Sequence, residues 1–326
     1  MMRKEGKVVL YTTLPPHRLR HFLDAVPPEL ALEVVDASAP EEVRLKAGEE
    51  ADVIIPAYMD LPPSFLDRCR RLKLVQLVSA GYDRLDLPAF LERGIPVANN
   101  GGANAPAVAE HTLGLILMVL RRLHRLWQNA RSGRWREGLQ GLEFTELTGK
   151  TVGIVGLGRI GRQVAKRLLG FDTTTLYHDI VPAPPEVERD LRVRRVPFEE
   201  LLERSDIVTL HIPLTRSTRH LIGERELARM KEGAVLINTS RGPVVDEGAL
   251  YRALAEGRLA GAGLDVFEEE PTPPDNPLLR LETVVATPHL AGTSHETWAR
   301  TARFVFQNAL RAVRGEPVES RVVPYD

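Results

Sequence analysis

The sequence predicts two doubly wound α/β domains, each built on a parallel sheet. Three observations predict them. Short β-branched runs alternate with helical stretches along the chain, the signature of βαβ units. Asn99-Asn100-Gly101-Gly102 interrupts the alternation, and a long apolar helix follows it. The alternation then restarts with a strand that runs straight into G-x-G-x-x-G, the opening of a dinucleotide-binding fold.

In the first series the strands fall at 7–12, 32–36, 52–55, 72–79 and 96–98. Helices lie between them at 16–25, 41–46, 64–70 and 87–93. The helix predicted over 105–131 is apolar on most faces as far as Leu120, so it is read as buried. Residues 132–149 look irregular, with Trp135 and three glycines. The second series places strands at 151–155, 173–177, 193–196, 207–211, 234–238, 262–266 and 284–286. Its helices fall at 162–169, 198–204, 224–230 and 247–256. A last helix at 294–314 stops at Gly315 with Pro317 beyond, and is expected to return to the first domain.

Composition narrows the class. A chain of 326 residues matches about two domains at ~150 residues each. Apolar residues at 43% and a net charge of -1 describe a globular protein and argue against nucleic acid or an anionic membrane as the main partner. The single cysteine, Cys69, can form neither an internal disulfide nor a cysteine-based zinc site, and no metal is expected. The charged start lacks a signal-peptide core, and the longest apolar run, 113–120, is too short to span a bilayer. The cytoplasm is therefore the expected location. Of 43 basic residues 36 are Arg, and Asn, Gln, Met and Cys together number 18 (7 + 5 + 5 + 1). With 24 prolines this fits heat adaptation, and equally a GC-rich genome.

The glycine loop carries the first chemistry. Gly156 permits a tight turn, Gly158 lets backbone approach a pyrophosphate, and Gly161 lets helix and strand pack closely. The helix that follows offers free N–H groups to phosphates. Asp179 ends the next strand, where a carboxylate binds ribose hydroxyls and repels a 2′-phosphate. The next residues are Ile180 and Val181, with no Arg, so the expected cofactor is NAD rather than NADP.

Three polar residues follow three strands on the rim where ligands bind in open α/β sheets: Arg241, Glu270 and His289. Arg binds anionic oxygens in a fork, and His moves protons near neutral pH. Each alone could be an ordinary loop residue; together, beyond a dinucleotide loop, they suit a carbonyl compound bearing a carboxylate.

The chain resembles the D-isomer-specific 2-hydroxyacid dehydrogenases. The matching stretches are GKTVGIVGLGRIGRQVAKRL, SDIVTLHIPLTRSTRHLI, MKEGAVLINTSRGPVVDEGAL, LAGAGLDVFEEEP and TPHLAGT, with VSAGYDRLDL and AVAEHTLGLILMVLRR in the first half. The resemblance implies a Rossmann domain over 99–290, a flavodoxin-like substrate domain from 1–98 and 291–326, and an active site in the cleft. It implies that Arg241 holds the substrate carboxylate, that His289 is the acid/base, and that Glu270 orients His289 and favours its protonated form. It places Gly156, Gly158, Arg159, Ile160, Gly161, Asp179, His211, Pro213, Thr239, Asp265, Thr112 and Gly292 around the cofactor, Asp265 on the nicotinamide carboxamide. Ser79, Ala80 and Gly81 would offer amides to the substrate carboxylate. A homodimer is implied, with the long helix and the Trp135 arm at its interface.

Rivals are weighed on the same residues. Formate dehydrogenases put an amide where this chain has Glu270. Phosphoglycerate users carry a basic residue where Leu77 stands, and Arg84, beside Asp83 and Asp86, is read as paired locally. NADH-binding corepressors add long low-complexity tails, absent here. Small 2-ketoacids, glyoxylate or hydroxypyruvate first, are the expected substrates. Tyr58, Trp135 and Trp298 are candidate pocket walls or ordinary packing residues.

Overall fold

The computed structural model describes residues 4–57, 59–83 and 85–324. Tyr58 and Arg84 lie outside them. The chain divides into two compact units, the first running to Asn104 and resuming at Thr293, the second Ala105–Gly292. The divisions differ from the expected 98/99 and 290/291. Asn99 and Ala103 are tied to the first unit: the Asn99 side chain donates to the Ala80 carbonyl and Arg300 Nε to that of Ala103.

The first unit holds β1 (Gly6–Thr12), β2 (Leu30–Asp36), β3 (Val53–Ala57), β4 (Leu74–Gln76) and β5 (Val97–Ala98). All pairings are parallel in the order β2-β1-β3-β4-β5, the flavodoxin-like winding. The inner strands are buried on both faces, which is why they read as continuous apolar runs. Tyr11, Phe65 and Phe90 fill one face. Phe22, Trp298 and Phe306 fill the other, beneath the helices Pro16–Ala25 and His295–Arg314. The closing helix starts where Ser294 Oγ accepts the Thr297 amide and stops at Gly315, at φ 73°. β4 is shorter than the predicted 72–79 because the chain turns at Leu77 into the Ser79 loop.

The second unit holds β6 (Thr151–Val155), β7 (Thr174–His178), β8 (Val193–Arg195), β9 (Ile207–Leu210), β10 (Ala234–Asn238), β11 (Leu259–Leu264) and β12 (Val284–Ala286). The sheet is parallel throughout, in the order β12-β11-β10-β9-β6-β7-β8. Winding reverses between β6 and β9, so a crevice opens at their carboxyl ends. The helix Ala105–Leu120 lies across β11, where Gly261 and Gly263 leave room for Val119 and Leu115.

Two expectations are corrected. The helix predicted over 105–131 is two helices, Ala105–Leu120 and Leu123–Arg131, because Arg122 adopts φ 50° between them. A helix at Pro185–Leu191 went unpredicted; it is short, with no buried apolar residue to give it a periodic face.

Candidate active site

The glycine loop is built as its spacing requires. Gly156 sits at φ 92°, which favours glycine, and a Cβ there would stand 2.7 Å from the His211 carbonyl oxygen. A Cβ on Gly161 would lie 2.1 Å from the Gly156 carbonyl oxygen, so the helix Arg159–Leu168 can start only with glycine there. Gly158 is different: a Cβ would meet no protein atom within 4 Å. The protein's own packing does not require that glycine. The open space beside it fits a pyrophosphate approaching the backbone at a helix N-terminus. Arg159 and Ile160 form the first turn of that helix.

Asp179 stands at the end of β7. Its Oδ2 accepts the Leu157 amide at 2.7 Å and its Oδ1 the Val181 amide at 3.1 Å, tying the carboxylate to the glycine loop. No Arg follows Asp179 directly in sequence, yet a basic group stands nearby in space. Arg195, on β8, donates from Nη2 to the Asp179 carbonyl at 2.9 Å. Strand pairing brings it there, and a search confined to the residues next in sequence could not find it.

His211 and Pro213 follow β9 opposite the loop. His211 Nε2 meets Thr209 Oγ1 at 3.0 Å, while Nδ1 is buried with no partner among the described residues. Burial pushes the imidazole down to about 3, so it is neutral. Thr112, on the long helix, and Thr239, after β10, join through their hydroxyls at 3.0 Å.

The three residues expected to be catalytic, Arg241, Glu270 and His289, follow neighbouring strands of the second unit. Arg241 follows β10, and its Nη1 donates to the Ser240 carbonyl at 2.7 Å. Gly242 then lies so close to the 267–268 peptide that a Cβ would stand 1.9 Å from the Phe267 carbonyl. That contact sets the Arg241 loop against the loop carrying Glu270. His289 Nδ1 meets Glu270 Oε2 at 2.6 Å. Burial would raise the Glu270 carboxyl; hydrogen bonds from His289 and the Phe267 amide, with the charge of Arg241, outweigh it and hold the group below the usual carboxylate range. The His289 side chain is 45% exposed, so its free Nε2 edge is open to a ligand.

His289 occupies φ 52°, a conformation that costs a non-glycine residue energy. Asp265 holds it there. Its carbonyl accepts the His289 amide at 2.7 Å, and its carboxylate accepts Thr287 Oγ1, the Leu290 amide and the Ala291 amide. Gly292 closes the same loop. Thr287 spends its one hydroxyl proton on Asp265, so His111 Nε2, at 2.9 Å, must donate to Thr287. Sequence reading selected Thr112 and passed over His111; its only signal was its place on the same helical turn.

In the first unit, Ser79 Oγ bonds the Gly81 carbonyl at 2.7 Å. Among the described residues, the amides of Ser79, Ala80 and Gly81 have no protein acceptor. Leu77 is buried at 5% exposure in the core, with no charge to offer. Trp298 is core packing against Phe22, under Arg18. Trp135 is 71% exposed on the arm after the long helix, beside Leu126 and Phe144 in a cavity of about 530 Å³. No cluster of potential metal ligands and no helix long and apolar enough to cross a membrane occurs among the described residues.

Residues 113–291 match the family described as D-isomer specific 2-hydroxyacid dehydrogenase, NAD binding domain. The chain is 42% identical to a glyoxylate reductase of Korarchaeum cryptofilum, over 88% of this chain and 87% of that one. It is 39% identical to a hydroxypyruvate reductase of Thermotoga maritima, over 82% and 87%. The holo form of Rhodotorula graminis D-mandelate dehydrogenase superposes with a TM-score of 0.86 at 31% identity, covering 99% of each chain. With a Rossmann unit, a glycine loop shaped for a dinucleotide and an Arg, Glu and His gathered beyond its strands, this chain belongs to the NAD-dependent D-isomer-specific 2-hydroxyacid dehydrogenases.

Proposed function

We propose that the protein reduces a small 2-ketoacid to the D-2-hydroxyacid with NADH, and catalyses the reverse oxidation, with glyoxylate and hydroxypyruvate as the leading substrates. The observation that carries this reading is the 2.6 Å contact between His289 Nδ1 and Glu270 Oε2. A carboxylate on Nδ1 fixes the ring and stabilises the imidazolium, leaving Nε2 to give a proton to a carbonyl oxygen. Bound NADH supplies the hydride to C2. Arg241 grips the carboxylate and polarises the carbonyl, its planar fork suited to paired oxygens. In the first unit, the amides of Ser79, Ala80 and Gly81 have no protein acceptor among the described residues and suit an anion. Of the four lone-pair sites on the Asp265 carboxylate, three are used within the protein, leaving one for the nicotinamide carboxamide.

Leu77 supports the small substrate: a phosphorylated ketoacid needs a second cation, and this position lies in the core. Steady-state rates with glyoxylate, hydroxypyruvate and phosphohydroxypyruvate, with each of NADH and NADPH, test the reading. A higher kcat/KM for the phosphorylated acid would overturn the substrate assignment.

Three coarser features complete the proposal. The protein is a homodimer, supported by two exposed tryptophans, Trp127 at 60% on the helix Leu123–Arg131 and Trp135 at 71% on the arm after it. It resides in the cytoplasm and is heat-adapted, in keeping with its Arg-rich, Asn- and Gln-poor composition. Sedimentation and a thermal melt check the dimer and the heat adaptation.

A further inference from the structure

We propose that Arg195 is a latent ligand for the 2′-phosphate of NADPH, and that the negative charge of Asp179 alone keeps that cofactor out. The inference rests on reading the glycine loop and Asp179 as the adenosine-ribose site. Tyr177 of β7 pairs with Arg195 of β8, which carries the guanidinium to the end of the strand bearing Asp179. There it spends one N–H on the Asp179 carbonyl. A guanidinium has five N–H donors. Arg195 is exposed and makes no ion pair within 4 Å among the described residues. Its neighbour Arg194 comes within 3.9 Å of Glu200, an acid held more closely by Arg204, whereas Arg195 meets only the neutral Asp179 carbonyl among the contacts of the described residues.

Asp179 turns the other way. Both its oxygens accept amides from the loop and the turn, which holds its charge where ribose hydroxyls bind. Beyond it, Ile180 and Val181 are 82% and 67% exposed and bring no further charge. Glu188, the nearby acid on the following helix, is held by the Tyr177 hydroxyl at 2.6 Å. An anion and a cation thus flank one strand end. A phosphomonoester placed there meets a repelling carboxylate first, and a bidentate donor once the carboxylate is gone. The fold accepts NADPH in at least one relative, a 28% identical imino acid reductase solved with it.

The test is cofactor binding by the full chain without substrate, followed by nicotinamide fluorescence. The wild type is expected to bind NADPH at least tenfold more weakly than NADH. Asp179→Asn keeps an acceptor for the Leu157 amide while removing the charge, and should tighten NADPH about tenfold. Adding Arg195→Ala to Asp179→Asn should raise the ratio of the NADPH to the NADH dissociation constant about tenfold, the loss of one charge-assisted contact. Competition by 2′,5′-ADP should follow the same order, since it carries the phosphate without the nicotinamide. If Arg195→Ala moves both constants equally, or neither, the assignment is wrong. Failure of the wild type to bind NADH would instead overturn the reading of the loop itself.

Discussion

The contact most open to test is Gly242. A Cβ there would stand 1.9 Å from both the carbonyl carbon and oxygen of Phe267 and 2.5 Å from the Glu268 nitrogen. Ordinary contact begins at 3.4 Å, so a methyl group forces a separation of 3.4 − 1.9 = 1.5 Å. The atoms met are backbone, which cannot swing aside as a side-chain tip would. Arg241 precedes this point and Glu270 lies two residues beyond the Phe267–Glu268 peptide that Gly242 touches. The displacement therefore falls between Arg241, the proposed carboxylate-binding group, and Glu270, the partner of His289. Misplacement by ~1 Å costs about a hundredfold in rate. Overpacking costs about 3 kcal/mol at the upper end, or about 6–12 °C in the melting of a unit this size. Gly242→Ala should thus lose kcat about a hundredfold and melt several degrees lower, read by steady-state kinetics and circular dichroism. Gly158→Ala is the counterpart: its Cβ meets no protein atom, so it should melt like the wild type and bind NADH more weakly. A Gly242→Ala enzyme with kcat within threefold and an unmoved melting temperature would refute the reasoning.

Other outcomes follow from the same geometry. His289→Ala should lose about 10²–10⁴ of kcat, measured at saturating NADH and ketoacid. Glu270→Gln removes the carboxylate that holds His289 Nδ1, so kcat for ketoacid reduction should fall while NADH binding holds; an unchanged kcat would break the pairing. Arg241→Ala should raise KM for the ketoacid and lower kcat while NADH binding by fluorescence holds. His211, buried and neutral with its imidazole pushed down to about 3, links stability to acid. The unfolded chain takes up that proton below about pH 6.5 and the folded chain does not, so its contribution is complete above that pH. It is lost toward pH 3, by up to about 1.4 kcal/mol per unit. His211→Gln should flatten the dependence of urea unfolding on pH across that window, and an unaltered slope would show the imidazole already charged.

Much of this was legible in the sequence because it depends on local pattern. Parallel strands buried on both faces announce themselves as apolar runs, and glycine loops keep their spacing whatever surrounds them. Gly156, Gly161 and Asp179 stand where that spacing placed them. What was not legible depends on pairing between distant segments. Arg195 reaches Asp179 across β7 and β8, and His111 reaches Thr287 across 176 residues. The break at Arg122 was hidden because Leu120, Arg121, Arg122 and Leu123 are all good helix formers, and the turn is set by a left-handed φ that no glycine marks. The packing of Trp298 beneath Arg18 likewise required knowing that the last helix lies on the first.

The geometry also explains why His289, the proposed acid/base, sits on such a constrained turn. A histidine on an exposed rim would rotate freely unless both its ring and its backbone were held. Glu270 holds the ring from Nδ1. Asp265 holds the backbone, taking the His289 amide on its carbonyl and the next two amides on its carboxylate. Asp265 is itself 1% exposed and anchored through Thr287 to His111, on the long helix packed across the sheet. The strain of a positive φ at His289 is thus borne by a buried carboxylate held by three donors, a rigid arrangement that shortens the list of positions Nε2 can take. His111→Leu should loosen that chain at its far end and lower kcat, while His111→Gln, which can still donate to Thr287, should restore most of it. Equal rates in the two variants would place the support elsewhere.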